Sequence, residues 1–270
     1  VNEVKLDSKK IYLMPLIIGP MFEQGKVPAL IYGEVQMLAL QYETDYDAAQ
    51  ALLPECYQPI KKPIVTVSFG YFGAVDFLAG GGYNIAAVSL QARFDCEKDH
   101  VEGGAILMIL EDDTVPITGG REQLGAPKVY ANISSVRTLP DSALRCEASR
   151  WGHLLFGINL GPLKKQNVIA RSVAAKRLSE QPMLGYKYIP SLDGPPDASY
   201  PTLFMTDYKV DELWLGKAGN MFFGEAAKED IGWYRHTVDA LKTLPVRQVI
   251  QTVRLRGSQV LRYDLYRRLK

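Results

Sequence analysis

Residues 119–128, Gly-Gly-Arg-Glu-Gln-Leu-Gly-Ala-Pro-Lys, bring a lysine, an arginine and a glutamate together on a chain that stiffens just before the lysine. Pro127 fixes its own φ and biases Ala126 toward an extended conformation. Val129 begins a new strand pattern, so Lys128 stands at a strand entrance with Leu124, Ala126, Pro127 and Val129 as near neighbours. Apolar surroundings disfavour the ammonium form and raise the fraction of neutral, nucleophilic amine. On residue types alone, a solvated lysine at a strand end is the commoner arrangement. Arg121 and Glu122 read equally as a proton-relaying pair or as an ion pair holding the loop.

Other chemistries find less support. His100, His153 and His236 lack metal-ligand spacing, and neither a GxSxG elbow nor a Walker A run is present. Gly80-Gly81-Gly82 lies between two strand patterns and opens no helix, which favours a flexible loop over a phosphate cradle. Cys56, Cys96 and Cys146 are odd in number and widely spaced, so neither a disulfide framework nor a zinc site is expected. A reducing, cytoplasmic setting without metal or cofactor is the default. The Asn132-Ile133-Ser134 triplet is read as an accidental glycosylation match.

The elements that must position the lysine are mainly strands. Val65, Val67, Phe69 and Tyr71 alternate with Thr66, Ser68, Gly70 and Phe72, and residues 86–94 and 144–149 alternate in the same way. Each pattern puts one side-chain row on a core and the other nearer solvent or a second layer. Further strands are expected over 35–42, 105–110, 129–136, 200–210 and 248–256. Helices are expected over 45–53 with Thr44 as cap, over much of 229–244, and within 164–180. Many strands with few helices predict an α+β protein: a single domain with a curved, mostly antiparallel, cone- or barrel-like sheet. Residues 1–34 are read as an N-terminal extension packed on that domain.

With 31 Lys+Arg against 30 Asp+Glu, the charge balance argues against nucleic acid as the main partner. The apolar run 11–22 is interrupted by Pro15, Gly19 and Pro20, too soon for a membrane span, and no secretory leader pattern opens the chain. The basic C-terminal set from Arg254 to Lys270 reads as a solvated face or a subunit contact.

The lysine segment resembles the active-site region of the acetoacetate decarboxylase family, in which a Schiff-base lysine follows a Gly-Arg-Glu element and a proline. Blocks at 42–59, 184–194, 211–216 and 241–250 are similar to other parts of that family, in the same order. The resemblance implies a cone-like α+β fold, a homo-oligomer and a small keto acid or ketone as substrate. It implies Lys128 as the covalent residue, with Arg121 and Glu122 beside it. Tyr83 and Asn84 fall near the family's glutamate position and Val35 near its arginine position, while Val129 replaces the lysine that follows the reactive one. Tyr83 and Asn84 would then offer neutral hydrogen bonds to substrate. Trp214, in the 211–216 block, is a packing aromatic first and a substrate contact second. The implied reaction is decarboxylation of acetoacetate or a related β-keto acid, with slow acetoacetate turnover for want of those charges. Aldolase–dehydratase chemistry on keto acids through the same lysine is the alternative, and a degenerate, non-catalytic ligand binder is a third reading.

Overall fold

The computed structural model describes residues 6–16, 19–23, 26 and 29–270. A small hairpin, β1 (Lys10–Tyr12) and β2 (Pro20–Glu23), precedes the first long strand, β3 (Leu30–Glu43). There follow α1 (Tyr46–Gln50), β4 (Tyr57–Pro59), β5 (Ile64–Val75), β6 (Tyr83–Asp95) and β7 (His100–Glu111). The site region holds α2 (Thr114–Gly119), a π-helical turn over Gly120–Leu124, and β8 (Lys128–Tyr130). A second sheet begins with β9 (Asn132–Ile133), β10 (Arg137–Thr138), β11 (Leu144–Arg150) and β12 (His153–Leu160). After β13 (Lys164–Lys165) come α3 (Val168–Glu180), β14 (Met183–Ile189), β15 (Ala198–Gly216) and β16 (Gly219–Phe223). The chain closes with α4 (Lys228–Ile231), α5 (Tyr234–Lys242) and β17 (Gln248–Arg268).

Seven strands hydrogen-bond into a closed ring in the order β3, β5, β6, β7, β14, β15, β17 and back to β3. Every pairing in the ring is antiparallel except β7 with β14. Closure removes the unpaired edges that an open sheet of this size would expose. β8 continues along the same edge of β7 beyond β14, again parallel, matching Lys128 with Ile109 and Tyr130 with Glu111. β10, β11, β12 and β16 form the second sheet, with β9 on β11. The α+β architecture with a curved, mostly antiparallel sheet is as expected from the strand periodicity.

Two apolar cores lie on opposite faces of the ring strands. Leu38 and Leu40 of β3 join Val88 and Leu90 of β6 in a core shared with Phe156 and Ile158 of the second sheet. Val35 of β3 and Tyr83 of β6 belong to the other core, with Leu124, Leu255 and Tyr263. The alternate row of these strands therefore meets a second layer rather than water, and the period of two survives because each row packs on a different neighbour.

The expected elements appear with shifted ends. Asp45, not Thr44, occupies the cap position of α1. The helix expected over 229–244 is two pieces, split at Gly232 where φ is +55°. The strand expected over 129–136 is broken into β8 and β9. α3 starts at Val168 because the Asn167 side chain accepts a hydrogen bond from the Ala170 backbone N–H at 3.0 Å. Among the described residues no helix is long and apolar enough to cross a membrane.

Candidate active site

Lys128 is placed by its backbone before its side chain has any choice. The Ile109 N–H donates to the Pro127 carbonyl and the Ala131 N–H donates to the Glu111 carbonyl, both at 3.0 Å, which locks β8 onto β7. Pro127 needs no donor here, since only its carbonyl is used. The preceding loop is stitched to β15 by the Thr202 hydroxyl, which donates to the Leu124 carbonyl at 2.6 Å. Arg121 lies exposed and donates to the Lys128 carbonyl at 3.0 Å, clamping the backbone from outside.

That register brings a carboxylate to the amine. Glu111 Oε1 lies 2.7 Å from Lys128 Nζ, with the glutamate side chain 0% and the lysine side chain 11% exposed. Nζ also donates to the Pro116 carbonyl at 3.1 Å. Apart from the lysine contact, neither Glu111 oxygen has a hydrogen-bond partner among the described residues. Burial pushes the Glu111 carboxyl above its ordinary range, and the Lys128 cation opposes that rise without cancelling it. Glu111 was not singled out from the sequence. It sits in the acidic run Glu111-Asp112-Asp113, which reads as a solvated strand end until the pairing with β8 is known.

Gly120 makes room for the lysine. A Cβ at that position would lie 2.5 Å from Lys128 Cδ and 2.6 Å from Cε, so only hydrogen can occupy it with the amine where it is. Gly120 belongs to a helical stretch, α2 and the π-helical turn, that the glycines and Pro116 had disguised as loop. Its signal was present: Asp113 caps the helix by accepting from the Val115 N–H at 2.8 Å, and Pro116 falls in the first turn, where proline is tolerated. π-Helical turns recur at functional sites.

The lysine tail enters a cavity walled by Leu13, Met21, Phe22, Leu30, Phe77 and Leu261, with Tyr32, Gln123 and Tyr263 among the polar lining. About 50 Å³ is open to the centre of a water molecule. Lys128 is the one cation in the wall among the described residues. The Tyr263 hydroxyl donates to Gln123 Oε1, which fixes the amide, while the buried Gln123 Nε2 has no partner among the described residues. A buried donor without an acceptor costs about 1–3 kcal/mol, so it is poised for one from a ligand. Burial raises the Tyr32 and Tyr263 phenols and keeps both neutral.

The other residues singled out from the sequence fall around this centre at different distances from it. Tyr83 is buried outside the cavity lining, in the same core as Tyr32, with its ring edge-on to Phe72 at 5.6 Å. Asn84 grips Asp112 twice, through its backbone N–H at 2.7 Å and its side-chain amide at 2.8 Å, and so fixes the end of β7 beside Glu111. Glu122 accepts from the Met14 N–H at 3.1 Å, tying the N-terminal segment over the site. Arg121 and Glu122 make no ion pair with each other. Trp214 is outside the cavity lining, stacked between Lys165 Nζ at 5.2 Å and the Arg254 guanidinium at 5.0 Å. Val35 packs in the same core as Tyr83, and Val129 faces the opposite core from Lys128.

A sequence profile described as acetoacetate decarboxylase matches residues 13–265. The chain is 25% identical over 258 residues to acetoacetate decarboxylase 1 of Bradyrhizobium diazoefficiens, covering 93% of this chain and 90% of that one. A solved acetoacetate decarboxylase structure superposes with a TM-score of 0.74 at 20% identity, over 97% of this chain and 95% of that one. The enduracididine biosynthesis enzyme MppR, complexed with the condensation product of pyruvate and imidazole 4-carboxaldehyde, superposes with a TM-score of 0.66 at 15% identity, over 97% of each chain. These two structural likenesses bear on the fold; the profile match across nearly the whole chain carries more, and by it the chain belongs to the acetoacetate decarboxylase family.

Proposed function

We propose that the chain is a carbon–carbon lyase in which Lys128 forms a Schiff base with a small β-keto acid and carbon dioxide is released. The observation that carries this reading is a buried amine in contact with a buried carboxyl group, beside a cavity whose wall is mainly apolar. On this reading Glu111, its carboxyl held above the ordinary range by burial, accepts a proton from the amine as substrate enters, and the neutral Nζ adds to the keto carbon. The carbonyl oxygen departs as water with that proton, and the cationic iminium then faces the Glu111 carboxylate. The bond to the substrate carboxylate breaks, and its electron pair moves into the iminium to give a neutral enamine and carbon dioxide. A zwitterion becomes a neutral species in this step, which an apolar wall favours. A solvent proton taken up at carbon, followed by hydrolysis, returns the ketone and free Lys128. Arg121, Glu122 and Asn84 act by holding the loop, the N-terminal segment and the end of β7.

Gln123 favours a second reading. Its unpartnered Nε2 would hold a substrate oxygen without repelling it, which suits retention of a carboxylate and aldol or dehydration chemistry at the same iminium.

The test is to incubate the protein with acetoacetate, pyruvate or acetylpyruvate, reduce with borohydride, and locate the adduct by peptide mass spectrometry. The expected adduct is on Lys128. Carbon dioxide release from acetoacetate, measured beside enone formation from pyruvate plus an aldehyde, separates the two reactions. An adduct elsewhere, or none with any carbonyl compound, overturns both and leaves a ligand-binding protein without catalysis.

A further inference from the structure

Lys128 and Glu111 together carry no net charge, whether the proton between them sits on nitrogen or on oxygen. Glu111 is wholly buried and does not line the cavity, so its carboxyl group meets the amine and not the solvent. Among the described residues Lys128 is the one cation in the wall, while Gln123, Tyr32 and Tyr263 offer a ligand hydrogen bonds without charge. The other groups around Glu111 bring no cation either. Asp112 and Asp113 follow it in the chain and oppose its ionisation. Its register partner Tyr130 on β8, Tyr83 of β6 and Tyr32 of β3 are phenols, and burial raises the last two. Arg121 is spent on the Lys128 carbonyl.

Schiff-base formation preserves this balance for a neutral ketone. The ammonium nitrogen bonds to the keto carbon, the two hydrogens it sheds leave with the keto oxygen as water, and a cationic iminium stands where the ammonium stood. A keto acid brings a further negative charge, since an ordinary carboxyl group ionises near about pH 4. One iminium would then face two carboxylates, one of them sealed from water. A carboxylate buried without a cation of its own is costly, and protonation relieves the cost. We infer that Glu111 takes up one proton from solvent when Lys128 holds a keto acid and none when it holds a neutral ketone, and so sets the charge of the compounds the site accepts. The inference rests on the Schiff-base reading of Lys128 and adds a rule of selection to it. Keto acids should gain on neutral carbonyl compounds of the same shape by about tenfold for each unit of falling pH over the range in which that proton is taken up.

Pyruvate and pyruvamide supply the test, because they share a skeleton, differ by one charge and have no β-carboxylate to lose. Each is titrated calorimetrically into the protein at pH 7 in buffers of different ionisation enthalpy, which counts the protons taken up per adduct. Borohydride reduction and peptide mass spectrometry locate the adduct. The expected result is one proton more for pyruvate than for pyruvamide, with the ratio of their affinities moving toward pyruvate as pH falls from 8 to 6. In Glu111→Gln, with thermal melting as a check on folding, the difference should vanish whatever the state of the free amine, because glutamine removes the titrating group from both adducts. Equal proton counts in the unaltered protein overturn the inference while leaving the Schiff base standing, and that count stands by itself should the variant unfold. An extra proton that persists in folded Glu111→Gln also overturns it, since another group then carries the proton. Absence of any Lys128 adduct overturns the Schiff-base reading and this inference together.

Discussion

Gly120→Ala isolates lysine placement from folding. Gly120 has φ −65° and ψ −40°, an ordinary right-handed helical conformation, so alanine fits the backbone and should gain about 0.5–1 kcal/mol of helix propensity. The three atoms nearest the added methyl all belong to the lysine tail, at 2.5 Å for Cδ, 2.6 Å for Cε and 3.0 Å for Nζ. Carbon–carbon contact needs about 3.5–4.0 Å, so the tail must move by about 1.0–1.5 Å. The tail is flexible and can do this without disturbing the core, but Nζ then leaves its position against Glu111. A misplacement of about 1 Å at a reacting centre can cost about a hundredfold in rate. The rate of borohydride-trapped adduct formation with acetoacetate, followed by intact mass, should fall by about that factor while the melting temperature holds or rises. Unchanged trapping in a well-folded variant would refute the argument that Gly120 is glycine for the sake of the amine. A collapse in melting temperature would refute the argument that the clash is confined to the tail.

Gly125→Ala should behave in the opposite way. Its φ is +71° and a Cβ there would lie 2.7 Å from backbone atoms of Lys187, so both strain and a rigid clash oppose it; a loss of several kcal/mol in denaturant unfolding is expected, and a wild-type midpoint would count against it. Lys128→Met should make stability depend on pH. The Glu111 carboxyl, already raised above 4.5 by burial, loses the cation that opposes the rise. A group raised in the folded state gives its full contribution below the unfolded value and loses it as pH rises through the folded one. The deficit relative to the parent protein should therefore widen from pH 5 to pH 8 toward about 3–5 kcal/mol, the usual cost of orphaning one partner of a buried pair. A deficit that does not change with pH would show that Glu111 is not left as a buried carboxylate.

The fold was legible in the sequence wherever a strand has one strong apolar row. Val65, Val67 and Phe69 announce β5 because their row is wholly buried against the second sheet. Helix ends were less legible, since Gly232 and Asn167 act through φ and side-chain capping that hydrophobic pattern does not register. In the site, Lys128 was singled out by the family resemblance of its segment; its proline and apolar neighbours alone fitted a solvated strand-end lysine as well. Glu111 and Gln123 were not, for different reasons. Glu111 is made functional by a parallel pairing between segments 17 residues apart, which no local pattern encodes. Gln123 is brought to the cavity by a helical turn that follows Pro116 and two glycines, punctuation that reads as loop. Met21 and Phe22 looked like part of a greasy extension, and their role depends on which cavity the hairpin covers.

The parallel seating of β8 on β7 carries a consequence for how the chain reaches its native pairing. β8 is only three residues long and its ladder with β7 is short, so the backbone alone discriminates weakly between neighbouring registers. A slip by one residue would turn Lys128 toward the opposite core, among Leu38, Val88 and Leu110, and would leave Glu111 buried without its cation. Two uncompensated buried charges make that alternative expensive. The Lys128–Glu111 pair thus acts as an alignment key that rejects misassembled sheets. It also couples the two positions in sequence change: removing either charge alone is costly, whereas exchanging both for hydrocarbon of matched volume is not. A descendant of this chain that gives up its chemistry should find it easiest to lose lysine and glutamate together.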